Sequence, residues 1–383
     1  MSTHREIIDG LFRAADAGES VVLATVVRIT GSSYGGVGSR MLICVDGTTV
    51  GLVSGGCLES DIAEHARRVN STGAAEVVRY DTLDDDDAPW GLGLGCNGLI
   101  DILLEPLNAA RARSVGDLLQ RALEADEPSA IATVIHVIES DSNSPQIGAH
   151  ALARDNSILT SGDWGSGFVL ADASEGIADA IKAGRRGLVH DYNGVEIAFE
   201  VVNPSVHLLV CGSGPDAGPI ARFGVELGWE VTVVDHRAGV AERASRFPGA
   251  IVTECLDALE LADCVNLSSR TAAVVVSHHF ERDRNYLNSL LRSEVTYIGM
   301  LGPRARTERM FTDLEAEPVP LHPDERVYSP VGMDIGGDGP DAIALAIVAE
   351  ISAVSSRRSA GHLRDKRGPL HAAAPSVPTA GKA

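Results

Sequence analysis

The sequence predicts an α/β protein: an N-terminal α/β domain with a degenerate second copy, followed by a C-terminal doubly wound parallel sheet. Three observations predict it. Glycine-rich turns follow short β-branched runs, segments of the first part of the chain recur further on, and beyond residue 206 strand-like and helix-like runs alternate. The 383 residues are 44% hydrophobic, enough for more than one core. They divide into 1–107, 108–205, 206–356 and an Ala- and Pro-rich stretch at 357–383 expected to be a disordered tail. A formal charge of −21 opposes nucleic acid and anionic membranes as partners, since phosphate binding needs clustered Lys and Arg. Without a membrane-length apolar run or a signal-peptide core, the chain reads as cytoplasmic, where its six cysteines are expected to stay reduced.

The pattern of 6–17 places Ile7, Ile8, Leu11, Phe12 and Ala15 on one helical face, and Gly18 stops it. Residues 20–29 form a β-rich run that empties into Thr30-Gly-Ser-Ser-Tyr-Gly-Gly-Val-Gly38, a hydroxyl and glycine loop able to close over an anion. Short strands at 39–45 and 49–53 are joined by Asp46-Gly47, a hairpin signal. They lead into Ser54-Gly-Gly-Cys57-Leu-Glu59, after which Leu58, Ile62 and Ala66 recur at helical spacing, so a helix is expected to start near Cys57. A thiol there lies among unpaired amide N–H groups at the positive end of a helix dipole, which favours thiolate. Gly55 and Gly56 carry no Cβ and admit a ligand closely. The competing reading is a small buried cysteine beside a turn. A strand at 76–80 precedes the carboxylate run Asp84–Asp87, read as a solvated loop. Then Trp90-Gly-Leu-Gly-Leu-Gly95-Cys96-Asn97-Gly98, a third glycine loop with a cysteine, runs into an apolar strand.

The second hundred residues echo the first. Ala24-Thr-Val-Val27 reappears as Ala132-Thr-Val-Ile135, Gly38-Ser-Arg40 as Gly148-Ala-His150, and the helix at 60–67 as 174–181, at offsets of about 108–114 residues. Where the first copy has its cysteine loop, the second reads Ser161-Gly-Asp-Trp-Gly165, so it is expected to keep a scaffold role without the chemistry.

From residue 206 the strand His207-Leu-Leu-Val-Cys211 enters the turn Gly212-Ser-Gly214-Pro-Asp-Ala-Gly218, then a helix, then a strand ending in Asp235. A glycine turn in this context, with an acid 23 positions past its first glycine, is a Rossmann dinucleotide signature. The helix start would hold a pyrophosphate and Asp235 the ribose hydroxyls, which favours NAD, while Arg237 can tolerate the extra phosphate of NADP. Strands at 272–277 and 295–299 and helices at 281–291 and 303–314 continue the doubly wound order. Strand ends carry His278-His279, read as acid–base groups, metal ligands or turn stabilisers, and Arg304 and Arg306, suited to an anionic group. A glycine loop at 329–339 enters a long apolar helix with Pro340 in its first turn.

These segments together resemble the XdhC/CoxI family, accessory factors for molybdenum hydroxylases such as xanthine dehydrogenase and carbon monoxide dehydrogenase. The resemblance covers nearly the whole chain ahead of the tail. It implies a factor that binds the molybdenum cofactor (molybdopterin) while a sulfurtransferase of the cysteine desulfurase type supplies the terminal sulfur. The factor then delivers the cofactor to the apo hydroxylase, acting as an insertion chaperone rather than an enzyme. Members look like homodimers with a C-terminal Rossmann domain, here expected to take NAD or NADP. The cofactor-binding candidates in the first domain are Gly31, Ser32, Ser33, Arg40, Ser54, Gly55, Gly56, Cys57, Glu59, Gly95, Cys96 and Asn97. Arg40 suits a pterin phosphate, and Cys57 or Cys96 a soft ligand to molybdenum or a carrier of sulfur. In the last domain the candidates are Gly212, Gly214, Gly218, Asp235, Arg237 and Arg304. Two other readings stand beside this one: an NAD(P)-dependent oxidoreductase acting through Cys57 or His278, and a nucleotide-sensing adaptor.

Overall fold

The computed structural model describes residues 2–31, 35–81, 98–138, 142–154, 157–165, 168–183, 187–192, 194–237, 239, 244–317 and 321–365. They form two compact units, Thr3–Pro204 and Ser205–Asp365. The expectations placed on Ser32, Ser33, Asp84–Asp87, Gly95, Cys96, Asn97 and most of the tail lie outside the described residues.

The first unit opens with α1 (Ser2–Ala17), β1 (Val21–Gly31), β2 (Arg40–Cys44), β3 (Thr49–Gly51), α2 (Glu59–Thr72), β4 (Glu76–Asp81) and β5 (Gly98–Leu107). The strands make an antiparallel sheet in the order β3-β2-β1-β5-β4. Strand periodicity sends alternate side chains of β1 to opposite faces. Val22, Ala24 and Val26 pack with Ile62, Ala66 and Val69 of α2, while Val21 and Leu23 pack under Ile7 and Leu11 of α1. Next come α3 (Ala109–Leu123), β6 (Ser129–Val137), β7 (His150–Arg154), β8 (Ser157–Ser161), α4 (Phe168–Ala183), β9 (Leu188–Tyr192) and β10 (Val195–Val202). Their sheet runs β8-β7-β6-β10-β9, the first order repeated strand for strand.

The duplication extends to irregularities. The register against β5 slips at Val27 of β1, and the register of β6 against β10 slips at Ile135, its counterpart in the repeated Ala-Thr-Val motif. Each slip is a bulge that turns one extra side chain out of the alternation. Val27 and Ile135 meet there, in one buried cluster with Leu103 and Ala198, so the two bulges supply a small core shared by both lobes.

The second unit contains β11 (His207–Cys211), α5 (Ala217–Glu226), β12 (Glu230–Asp235), β13 (Ile251–Glu254), α6 (Leu261–Cys264), β14 (Thr271–Val275), α7 (Phe280–Leu291), β15 (Tyr297–Met300), α8 (Arg304–Glu315), β16 (Val327–Tyr328) and α9 (Pro340–Ser355). All strand pairs are parallel, in the order β13-β12-β11-β14-β15-β16. Strand order reverses between β11 and β14, which opens a crevice at their carboxyl ends. Leu208 and Val210 face a core with α5 and α9; Leu209 and Cys211 face one with α6, α7 and α8.

Candidate functional site

The cysteine loop is organised around a carboxylate. Helix α2 begins at Glu59 with Leu58 as N-cap, two residues later than expected for Cys57. Glu59 turns back, and its carboxylate accepts from the backbone N–H groups of Ser54 and Gly56 at 2.9 Å, Leu58 at 3.2 Å and Val53 at 3.3 Å, and from Ser54 Oγ at 2.6 Å. The amides expected to face an anionic ligand or the thiolate are thus filled by the chain's own anion. Burial would push the Glu59 carboxyl up, but the Ser54 and Val53 donors outweigh it and hold it below the usual carboxylate range. Cys57 Sγ lies instead 3.4 Å from both Ser54 O and Ser54 Oγ, half-buried against the α2 core. Gly55 and Gly56 adopt left-handed φ of 82° and 111° and are exposed, and a Cβ on Gly56 would meet nothing within 4 Å among the described residues. Among the described residues, the glycine face beside the thiol is therefore open. The neighbouring loop closes on it from behind, since a Cβ on Gly35 would come within 2.7 Å of Val53 O.

Arg40 is placed differently from the phosphate-binding expectation. It is 5% exposed, and its guanidinium donates to Gly38 O at 2.9 Å and in bidentate fashion to Glu200 of the second lobe at 2.5 and 3.1 Å. The reverse contact exists too: His150, the counterpart of Arg40, places Nε2 2.9 and 3.1 Å from Glu105 of the first lobe. Leu23 pairs with Glu105 and Ile131 with Glu200 at matching ladder positions, so the two glutamates are also counterparts. Reciprocal contacts of this kind mark an approximate two-fold between the lobes. The symmetry is imperfect where the residues differ. His150 Nδ1 stands 2.9 Å from Thr133 Oγ1, whereas Thr25, opposite Arg40, keeps a buried Oγ1 that finds no hydrogen bond among the described residues.

In the second lobe the place of the cysteine loop is filled. Trp164 is 6% exposed and donates its Nε1–H to His150 O at 2.9 Å, and Ser161 Oγ is engaged by Arg111 at 3.0 Å and Ser114 at 2.5 Å.

In the second unit, Gly212 at φ 125° brings the turn onto the end of β14, where a Cβ would approach the Ser277 backbone at 2.9 Å. Gly218 lies within the first turn of α5, and a Cβ there would meet nothing within 4 Å among the described residues. The turn and helix start fit the pyrophosphate of a dinucleotide. The ribose end is already occupied internally. Asp235 is buried, accepts from Ser213 Oγ, and is gripped by Arg237 through Nε at 3.1 Å and Nη2 at 2.8 Å. Burial pushes its carboxyl up, and the Arg237 and Ser213 donors more than reverse that, leaving it below the usual range. Of the paired histidines, His278 lies beyond the end of β14 at φ 61°, with Nε2 2.8 Å from Asp216 of the glycine turn, the turn-stabilising role. His279 is the N-cap residue of α7. Arg304 opens α8 and is exposed, while Arg306 pairs with buried Asp283 at 2.7 Å.

The comparisons follow this division. Residues 14–81, with the cysteine loop inside them, match the model of the XdhC and CoxI family, and 208–351 match that of the XdhC Rossmann domain. A protein of Bacillus subtilis (strain 168), named as a probable subunit of xanthine dehydrogenase, is 30% identical over 336 residues, covering 87% of this chain and 92% of that one. The chain belongs to the XdhC and CoxI family. A second relative, the molybdenum cofactor insertion chaperone PaoD of Escherichia coli (strain K12), is 23% identical over 92% of this chain and 88% of its own. A solved structure from Bacillus halodurans, described as a xanthine dehydrogenase, superposes with a TM-score of 0.72 at 29% identity, over 94% of this chain and 98% of that one.

Against this XdhC and CoxI background, the residues missed from the sequence are the inter-lobe acids Glu105 and Glu200 and Asp216, the partner of His278. The acids left a signal: each is the second of two carboxylates in an otherwise apolar strand, after Asp101 in β5 and Glu196 in β10, at the same step of the repeat. Among the described residues no group of three or more His, Cys, Asp or Glu gathers as a metal site, and no helix is long and apolar enough to cross a membrane.

Proposed function

We propose that the chain is a maturation factor for a molybdenum hydroxylase of the xanthine dehydrogenase or carbon monoxide dehydrogenase type. It binds the molybdenum cofactor as cargo, holds it while a sulfurtransferase of the cysteine desulfurase type supplies sulfur, and hands it to the apo enzyme. The names borne by its relatives support the coarse reading of a molybdenum cofactor factor. The observation that carries the finer one is the half-buried Cys57 thiol beside the open Gly55-Gly56 face, within the family-matched segment. A thiol is a soft donor suited to molybdenum or to carrying sulfur, and bare glycine backbone admits a flat pterin closely. Cys96, the other candidate thiol, belongs to the same first domain. The Rossmann unit takes NAD or NADP at the Gly212–Gly218 turn, and the protein acts in the cytoplasm as a homodimer.

Mass spectrometry of ligands carried through native purification tests the proposal. Wild type is expected to retain molybdopterin and Cys57→Ala to lose it at unchanged melting temperature. A wild-type protein free of any pterin after expression in a cofactor-replete host would overturn it.

A further inference from the structure

Two cysteines of the second unit, in neither candidate site, stand together. Cys255 directly follows β13 and Cys264 ends α6, nine positions later, and their sulfurs are 2.8 Å apart. The two sulfurs are thus in direct contact, the placement from which an S–S bond of ~2.05 Å can form. The two differ in access: Cys255 is 1% exposed and Cys264 half-buried. Burial first, and Cys264 beside it second, push the Cys255 thiol up to about 12. Cys264 is therefore the sulfur that a small oxidant meets and Cys255 the one that resolves it.

We propose that Cys255 and Cys264 are an oxidation site that forms a reversible disulfide in the folded chain. With a peroxide as oxidant, the Cys264 thiolate attacks one peroxide oxygen and the O–O bond breaks, giving a sulfenic acid and water. Cys255 sulfur then displaces the sulfenic oxygen as a second water, and the S–S bond forms. The pair gives up two electrons, the peroxide takes them, and both thiol protons end in water. A dithiol reverses the step by exchange. The bond would tie the exit of β13 to α6. The same Cys255 donates its backbone N–H to Asp235 O at 2.8 Å, so the tie falls next to the acid of the nucleotide turn.

Peptide mapping of the full-length protein after hydrogen peroxide treatment and alkylation tests this. The expected product is a peptide pair linked through Cys255 and Cys264, absent after dithiothreitol. Cys264→Ser should give no link, and Cys255→Ser should stop at a Cys264 sulfenic acid trapped by dimedone. The proposal is overturned if oxidised wild type carries Cys264 as a sulfenic or sulfinic acid beside a free Cys255, or if Cys255 is linked to another cysteine. Since the wild-type map alone decides, a variant that fails to fold does not rescue the idea.

Discussion

Glu59 shows what one side chain does to a loop. Five donors converge on it, so Glu59→Gln leaves several of them unmatched at once, because an amide offers one acceptor oxygen and adds donors of its own. The expected cost is about 1–2 kcal/mol, at the lower end for lost buried hydrogen bonds because water partly reaches the carboxylate; urea unfolding measures it. A carboxyl held below its unfolded value stabilises fully above that value and loses its contribution as pH falls through the lowered one. Wild type should therefore lose stability steeply in acid below the ordinary carboxylate range, and Glu59→Gln less so. At Asp235 the argument concerns selectivity. Arg237→Ala should remove the strongest internal competitor of a ribose diol at this carboxylate and the cation available to a 2′-phosphate. Calorimetric titration with ADP-ribose and its 2′-phosphate is expected to show the preference moving about tenfold toward the unphosphorylated ligand, about 1.4 kcal/mol. The turns that carry Cys57 and precede the strand of Asp235 were legible in the sequence because glycines announce them. Their partners were not: whether a loop amide faces solvent or a neighbouring Glu depends on how the chain folds back, which periodicity does not encode.

Among elements, the two sheets are held by paired charges as well as by the Val27 and Ile135 bulges. Arg40→Met would remove the bidentate partner of Glu200, whose side chain is only 13% exposed, and should cost about 3–5 kcal/mol, as for other broken buried pairs. The double variant with Glu200→Met should recover most of that loss in denaturant titration, since two apolar side chains leave no unpaired charge. The duplicated Ala-Thr-Val and Gly-x-Arg/His motifs exposed the repeat before any strand order was known. Strand β13 and the two-residue β16 gave no such sign. Ile251 at the sheet edge is exposed, and so short a segment shows no alternation to read. The partner of Arg40 was hidden for a related reason: the sequence shows a basic residue beside glycines and not the glutamate 160 positions away that is brought to it.

At the scale of the whole molecule, Thr3–Pro204 and Ser205–Asp365 each close their own cores. The chain should therefore unfold in two calorimetric steps, and a single transition with equal calorimetric and van't Hoff enthalpies would contradict it. The Rossmann unit was the more legible of the two, because a parallel sheet needs a regular crossover after each strand. The reciprocal contacts between the lobes carry one more consequence. In a dimer of identical subunits every substitution is imposed at both symmetry-related places, so a tryptophan that seals one loop would seal the other. Here the two halves share one polypeptide and can diverge. Trp164 closes its lobe while Gly55 and Gly56 stay exposed and Cys57 half-buried in theirs, and His150 meets Glu105 where Arg40 meets Glu200, with an added contact to Thr133. Covalent fusion makes half of the pair a permanent partner for the other, leaving the Cys57 loop free to specialise.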